Sequence, residues 1–221
     1  MKVLLATTNR GKISELQRIL GHQPFDLVGL GPNESTEEIE TGATFTDNAL
    51  LKARHYHRLT GLPTIADDSG LEVAALGGRP GVASARYAGP GGSDAERIEK
   101  LLGELKDVPD DRRAARFVCA AALVWQAGEQ VFEDEARGRI LRAACGEGGF
   151  GYDPVFLYEP LGKTFAELSG EEKATISHRG RAFRRLAAWL DAARVLDTLK
   201  PGDKMKIPTG ESSASSRRGD V

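Results

Sequence analysis

A chain of 221 residues that is 40% apolar can bury a substantial core within one domain. Its 30 basic and 32 acidic side chains leave a net charge of −2, which argues against a general nucleic-acid binder with its basic excess. The longest apolar run, residues 117–125, is too short to cross a bilayer, so no membrane partner is expected.

Residues 3–6 read as a short buried strand. They run straight into polar residues, without the longer apolar region and cleavage site of a signal peptide. A helix is predicted over 12–20, with Ile13, Leu16, Ile19 and Leu20 on one face. Residues 7–11 are then a strand-to-helix turn. Residues 34–41 form an acidic loop. Residues 44–60 read as a helix capped by Thr44 with Asp47 reaching back, and Asn48 and Lys52 share a face of it. Residues 63–66 read as a strand, followed by a turn at Asp67-Asp68-Ser69-Gly70 and a second short strand from Leu71. A Gly/Pro-rich loop covers 77–92, and an amphipathic helix covers 94–105. Residues 117–126 and 129–137 read as a hairpin turning at Ala127-Gly128. Cys119 and Cys145 lack metal-ligand spacing and read as reduced core thiols, which suits a cytoplasmic protein. A strand is predicted over 155–157. Ser169 and Glu172 fit a capping box opening a short helix that holds Lys173. Ser177 fits the N-cap of a last helix with Phe183, Leu186, Ala187, Leu190, Val195 and Leu199 as its stripe. Composition then shifts to Ser, Gly, Lys and Arg, so 201–221 read as a disordered tail after a single domain over 1–200.

Four stretches carry chemistry. Gly148-Gly149-Phe150-Gly151-Tyr152-Asp153-Pro154 packs two rings, a carboxylate and three glycines into seven residues. It suits a slot for a flat heterocycle: a ring stacks, glycine backbone approaches closely, and a carboxylate accepts a ring N–H. Taken alone it reads equally as a Gly-rich turn with rings tucked beneath. Thr7-Thr8-Asn9-Arg10-Gly11-Lys12 precedes a helix, where free N–H groups attract anions. It lacks the spacing of a Walker loop, and alone it reads as a polar turn. Asp67-Asp68 at a strand end suits Mg²⁺, or else an Asx turn; strand alternation lets only one face a site, leaving the other to hold the turn. Glu40 could add a second carboxylate, or be merely solvated. Ser177-His178-Arg179-Gly180 offers an Arg fork for a carbonyl or phosphate oxygen, though a histidine at a helix start more often caps or packs.

In order, TTNRGK, ETGATFTDNALLKA, ADDSGLEVAALGGRPGVASARYAG, GGFGYDPVF and EEKATISHRGRAF resemble the inosine triphosphate pyrophosphatase family, also called dITP/XTP pyrophosphatases. The resemblance covers residues 1–189. Thr8 departs from the Gly that many members carry, and the C-terminal tail lies outside it. The resemblance implies an α/β fold with a long central mixed sheet flanked by helices, and two lobes with a substrate cleft between them. It implies a homodimeric, Mg²⁺-dependent enzyme that converts inosine, deoxyinosine and xanthosine triphosphates to the monophosphate and pyrophosphate. Carried over, Thr7, Thr8, Asn9, Arg10, Gly11 and Lys12 cradle the phosphates. Asp68 is the base and a metal carboxylate, Glu40 a further metal carboxylate, and Ser69 a substrate contact. Phe150, Gly151, Tyr152 and Asp153 form the base slot. Lys173 contacts substrate, His178 and Arg179 read the base, and Asn48 and Lys52 support the cleft.

Base chemistry agrees. Hypoxanthine and xanthine present a 6-oxo group to an Arg179 donor and an N1–H to an Asp153 acceptor. Adenine leaves both protein groups unpaired, a mismatch that discriminates by factors of about 10⁴. Two alternatives remain. One is a hydrolase of modified pyrimidine or standard nucleotides, which the slot and the His-Arg element weigh against. The other is a non-catalytic nucleotide or nucleic-acid binding module of the same fold. Arg217-Arg218 in the Ser-rich tail favours that module, while the acidic balance and the Asp pair disfavour it.

Overall fold

The computed structural model describes residues 2–31 and 39–192. Strand β1 (Lys2–Leu5) lies between β2 (Asp26–Gly29) and β3 (Thr64–Val73) and is parallel to both. Parallel neighbours need crossovers, which α1 (Arg10–Leu20) and α2 (Phe45–Thr60) supply. Strands β4 (Ala114–Trp125), β5 (Gly128–Ile140), β6 (Phe156–Tyr158) and β7 (Lys163–Thr164) continue the sheet antiparallel. The order is β2-β1-β3-β4-β5-β6-β7, the expected mixed sheet. Helices α3 (Asp94–Glu104), α4 (Gly170–Ile176) and α5 (His178–Ala192) complete the described part.

Helix starts follow the sequence signals. Asn9 accepts from the Lys12 N–H, and capping boxes join Thr44 to Asp47, Ser93 to Glu96 and Ser169 to Glu172. Ser177 Oγ accepts from the Gly180 N–H at 3.0 Å. Each cap pairs an N–H that the helix itself cannot satisfy.

The apolar run of β4 has a simple cause. Cys119, Ala121 and Leu123 pack with α1 and α5 residues such as Leu16, Phe183 and Leu186. Val118, Ala120, Ala122 and Val124 pack on the other face with Phe45, Ala49 and Tyr56 of α2. Burial on both faces removes the polar alternation of a half-exposed strand. A second lobe is built on Leu71, Val73, Phe117, Phe156 and Phe165. β3 and β4 run through both lobes, so residues 67–70 lie where the two cores meet.

Five expectations need correction. Residues 67–70 are not a turn. Asp67, Asp68 and Ser69 pair with Ala121, Ala120 and Cys119 inside one continuous strand. The ladder to β4 satisfies their backbone, and cations offset their charge at Asp67 Oδ2 and Asp68 Oδ1, so a polar stretch can be buried mid-strand. The hairpin turns at Gln126-Ala127, because Trp125 already pairs with Gly128. The loop over 77–92 contains a 3₁₀ segment, Gly81–Arg86. Cys119 is buried and Cys145 exposed, both as free thiols, so Cys145 is no core residue. Strands β2 and β7 were not expected. Val195, Leu199 and the tail over 201–221 lie outside the described residues. No helix among the described residues is long and apolar enough to cross a membrane.

Candidate active site

A cleft of about 530 Å³ opens between the lobes. It is lined by every expected site residue except Asn48. Its volume is in the range of small-molecule sites.

One wall is the turn from β1 into α1. Thr7 Oγ1 accepts from the Asn9 N–H at 3.2 Å, and Asn9 in turn caps α1, so the turn is pre-formed. Lys12 Nζ lies 3.0 Å from Asp67 Oδ2. It is therefore fixed over the strand rather than solvated.

The two aspartates point to opposite faces of β3, as strand geometry requires. Asp68 faces α2. Asn48 Nδ2 donates to its Oδ2 at 3.0 Å, and Lys52 Nζ lies 3.4 Å from its Oδ1. Asn48 is fully buried behind Asp68, where it also accepts the Gly42 N–H at 2.7 Å. Lys52 Nζ reaches Glu40 Oε1 at 2.6 Å, so one ammonium joins Glu40 and Asp68. Burial pushes the Asp68 carboxyl above its ordinary value, Glu40 adds to that rise, and Lys52 and Lys12 only partly oppose it.

Asp67 faces α1 and α5 and does not line the cleft. Its Oδ2 lies 3.0 Å from Lys12 Nζ and 3.3 Å from Arg179 Nε, and accepts Ser69 Oγ–H at 2.7 Å. Burial alone would raise its pKa, but Lys12, Arg179 and Lys52 outweigh that and hold it far below the carboxylate range. Asp67 anchors two cationic site residues, whereas it was expected to hold a turn.

The slot end is built by α4, α5 and residues 148–154. Phe150 is half-buried and presents its ring to the cleft, with Lys173 Nζ 4.8 Å and the Arg179 guanidinium carbon 5.5 Å from its centroid. Asp153 is buried. Its Oδ2 accepts the Phe150 N–H at 2.9 Å and meets Lys173 Nζ at 2.5 Å. Tyr152 is buried too, and its hydroxyl donates to the Ser84 carbonyl at 3.0 Å. Phe150 is thus the exposed face of the slot, and Tyr152 its floor. Arg179 donates to Glu15, Asp67 and Ser69 at 2.6, 3.3 and 2.7 Å, which locks the guanidinium plane. His178 stacks on Phe117 at 4.7 Å and 7°. Burial, with Arg179 and Lys173 nearby, holds its imidazole well below 6.5, so the ring is neutral.

Glu15 was missed by sequence reading. It bridges Lys173 at 2.7 Å and Arg179 at 2.6 Å. Its only sequence signal is the three-residue spacing from Lys12, which places both on one helix face. Asp94 and Arg97 also line the cleft and carried no such signal.

Among the described residues no three His, Cys, Asp or Glu side chains converge as a metal site. Mg²⁺ does not need such a cage, since it is usually held by one or two carboxylates with water and substrate phosphate. Glu40 and Asp68, both at the cleft and already sharing one cation in Lys52, fit that donor set.

Fold and site together define an α/β protein whose two lobes enclose a charge-lined cleft, with the Phe150 ring among its lining residues. The Ham1 family model matches residues 3–189. The chain belongs to the Ham1 family. The dITP/XTP pyrophosphatase of Mycolicibacterium paratuberculosis is 53% identical over 194 residues, covering 86% of this chain and 95% of that protein. The dITP/XTP pyrophosphatase of Salmonella paratyphi A is 50% identical over 196 residues, covering 87% and 98%. The structure of the Ham1 protein of Staphylococcus aureus superposes with a TM-score of 0.78 at 41% identity, covering 87% of this chain and all of that one.

Proposed function

We propose that the protein is a nucleoside-triphosphate pyrophosphohydrolase of the nucleotide pool. It converts inosine, deoxyinosine and xanthosine triphosphates to the monophosphate and pyrophosphate. The observation that carries this reading is the set of groups that one cleft brings together. A pre-formed anion cradle and the Asp68, Glu40 and Lys52 cluster line the same cleft as the Phe150 ring, which stands 5.5 Å from the Arg179 guanidinium carbon. The names of the relatives support the substrate class.

In this reading Thr7, Thr8, Asn9, Arg10 and Gly11 bind the triphosphate through backbone and side-chain donors. Lys12, held by Asp67, neutralises charge growing on the departing pyrophosphate. Asp68 orients the water that attacks the α-phosphorus and takes its proton. Glu40 and Asp68 would hold Mg²⁺, which when bound withdraws charge from phosphate oxygens. Phe150 stacks on the base, Arg179 and neutral His178 meet its oxo edge, Asp153 accepts from its N1–H, and Lys173 contacts the substrate. Ser69 adds a substrate contact. The family resemblance supports a homodimer acting in the cytoplasm, with its folded part as one domain.

The test is turnover of inosine, xanthosine, adenosine and guanosine triphosphates with Mg²⁺, resolving pyrophosphate from orthophosphate. Fast pyrophosphate release from the first two alone is expected. Flat selectivity, or orthophosphate as product, overturns the reading.

A further inference from the structure

Helix α3 is capped by Ser93, and Asp94 is its first residue. Asp94 Oδ2 accepts the backbone N–H of Gly151 at 2.6 Å, although the two lie 57 residues apart in the chain. Its Oδ1 meets Arg97 Nη2 at 2.6 Å. Arg97 is braced in turn, donating from Nη1 to the Ala85 carbonyl at 2.6 Å and from Nε to the Ser93 carbonyl at 3.2 Å. The first turn of α3 thereby ties the slot to the 3₁₀ segment Gly81–Arg86, which also lines the cleft.

Gly151 sits between the slot's ring residue and its floor residue, with φ at +63°. The two successive N–H groups of Phe150 and Gly151 go to two different carboxylates, Asp153 and Asp94. Fixing both N–H directions fixes the two peptide planes that flank the Phe150 Cα, and those planes set where the Phe150 ring stands. A charge-assisted bond to a backbone N–H is among the stronger ones available for this purpose.

We propose that Asp94, braced by Arg97, is a positioning residue for the base slot. It holds the 150–151 backbone so that the Phe150 ring stands ready for a purine to stack against it. The inference rests on the nucleotide reading given above. Asp94 is an acid in a cleft meant for a triphosphate. If it were only a surface charge, its removal would tighten every triphosphate alike. As a positioning residue, its loss falls on the base that fits the slot.

The experiment measures kcat/KM for inosine and adenosine triphosphates in the wild type, D94A, D94N and R97A. The inosine-to-adenosine ratio is expected to fall about tenfold in D94A, the size of one lost charge-assisted bond. It is expected to recover to within about threefold in D94N, whose amide oxygen still accepts the Gly151 N–H. R97A, which removes only the brace, is expected to lower the ratio about threefold. Should D94A not fold, R97A tests the same direction. A wild-type preference that D94A and R97A leave intact, or a D94N ratio as low as that of D94A, overturns the inference alone. A wild type without the preference overturns the functional reading and this inference with it.

Discussion

Replacing Asp67 by asparagine separates the aspartate that holds the site together from the one that faces substrate. Asp67 is 1% exposed and Asp68 5% exposed, so burial alone does not distinguish them. Their partners do. Asp67 meets Lys12 at 3.0 Å and Arg179 at 3.3 Å, whereas Asp68 meets a single cation among the described residues, Lys52, at 3.4 Å. In Asp67→Asn the amide would keep the shape and the bond from Ser69, but leave the buried Arg179 and the half-buried Lys12 short of a counter-charge. Removing one partner of a buried ion pair costs about 3–5 kcal/mol. Arg179 retains Glu15 at 2.6 Å, so the lower half of that range is expected. With a slope of about 2–3 kcal/mol/M, the urea midpoint falls by about 1–2 M. The assay is equilibrium urea unfolding of the wild type, Asp67→Asn and Asp68→Asn. A midpoint for Asp67→Asn within about 0.3 M of wild type would refute the anchoring role.

Asp68→Asn carries the opposite expectation. It should leave the urea midpoint near wild type and lower turnover by about 10²–10⁴, the usual yield of a positioned base, while nucleotide still binds. Arg113 is 2% exposed and donates to the carbonyls of Leu105, Ile140 and Leu141 at 2.7, 2.8 and 2.9 Å. Arg113→Met strands these acceptors and should cost about 3 kcal/mol in the same unfolding assay, without loss of base preference. Gly70→Ala would set a Cβ 2.5 Å from the Gly81 carbonyl oxygen and 2.9 Å from the Phe45 ring, beside Ser69. Overpacking of about 1–3 kcal/mol is expected, together with a raised KM, read by thermal melting and steady-state kinetics. For His178 the folded pKa is depressed by burial, so the unfolded chain binds the extra proton. The stability this contributes is complete above about pH 6.5 and falls on acidification, by at most about 1.4 kcal/mol per pH unit. Unfolding free energies between about pH 6.5 and 5 should therefore drop more steeply in the wild type than in His178→Gln, and equal slopes would count against a neutral buried ring.

Much of this was legible where one residue type has one physical use. Thr44 with Asp47, and Ser169 with Glu172, announce helix starts because a hydroxyl followed by an acid pairs two stranded N–H groups. Phe150 among glycines suited a slot or a Gly-rich turn alike, and Phe150 lines the cleft. What was not legible depends on distant partners. Asp67-Asp68-Ser69-Gly70 has turn composition, yet it forms strand because Ala120, Ala121 and Cys119 pair with it from some fifty residues away. The same distance hid the role of Asp67, since Arg179 reaches it from α5. Asp94 was hidden likewise, because nothing local joins it to Gly151. Strand β2 escaped because its four residues, with burial running exposed, half-buried, half-buried, exposed, carry no alternation.

The central claim is that water enters at the α-phosphorus under the direction of Asp68. Hydrolysis of inosine triphosphate in ¹⁸O-labelled water, followed by mass analysis of both products, tests it most directly. One ¹⁸O atom in the monophosphate and none in the pyrophosphate is the expected result. Label in the pyrophosphate, or release of orthophosphate in its place, would contradict it.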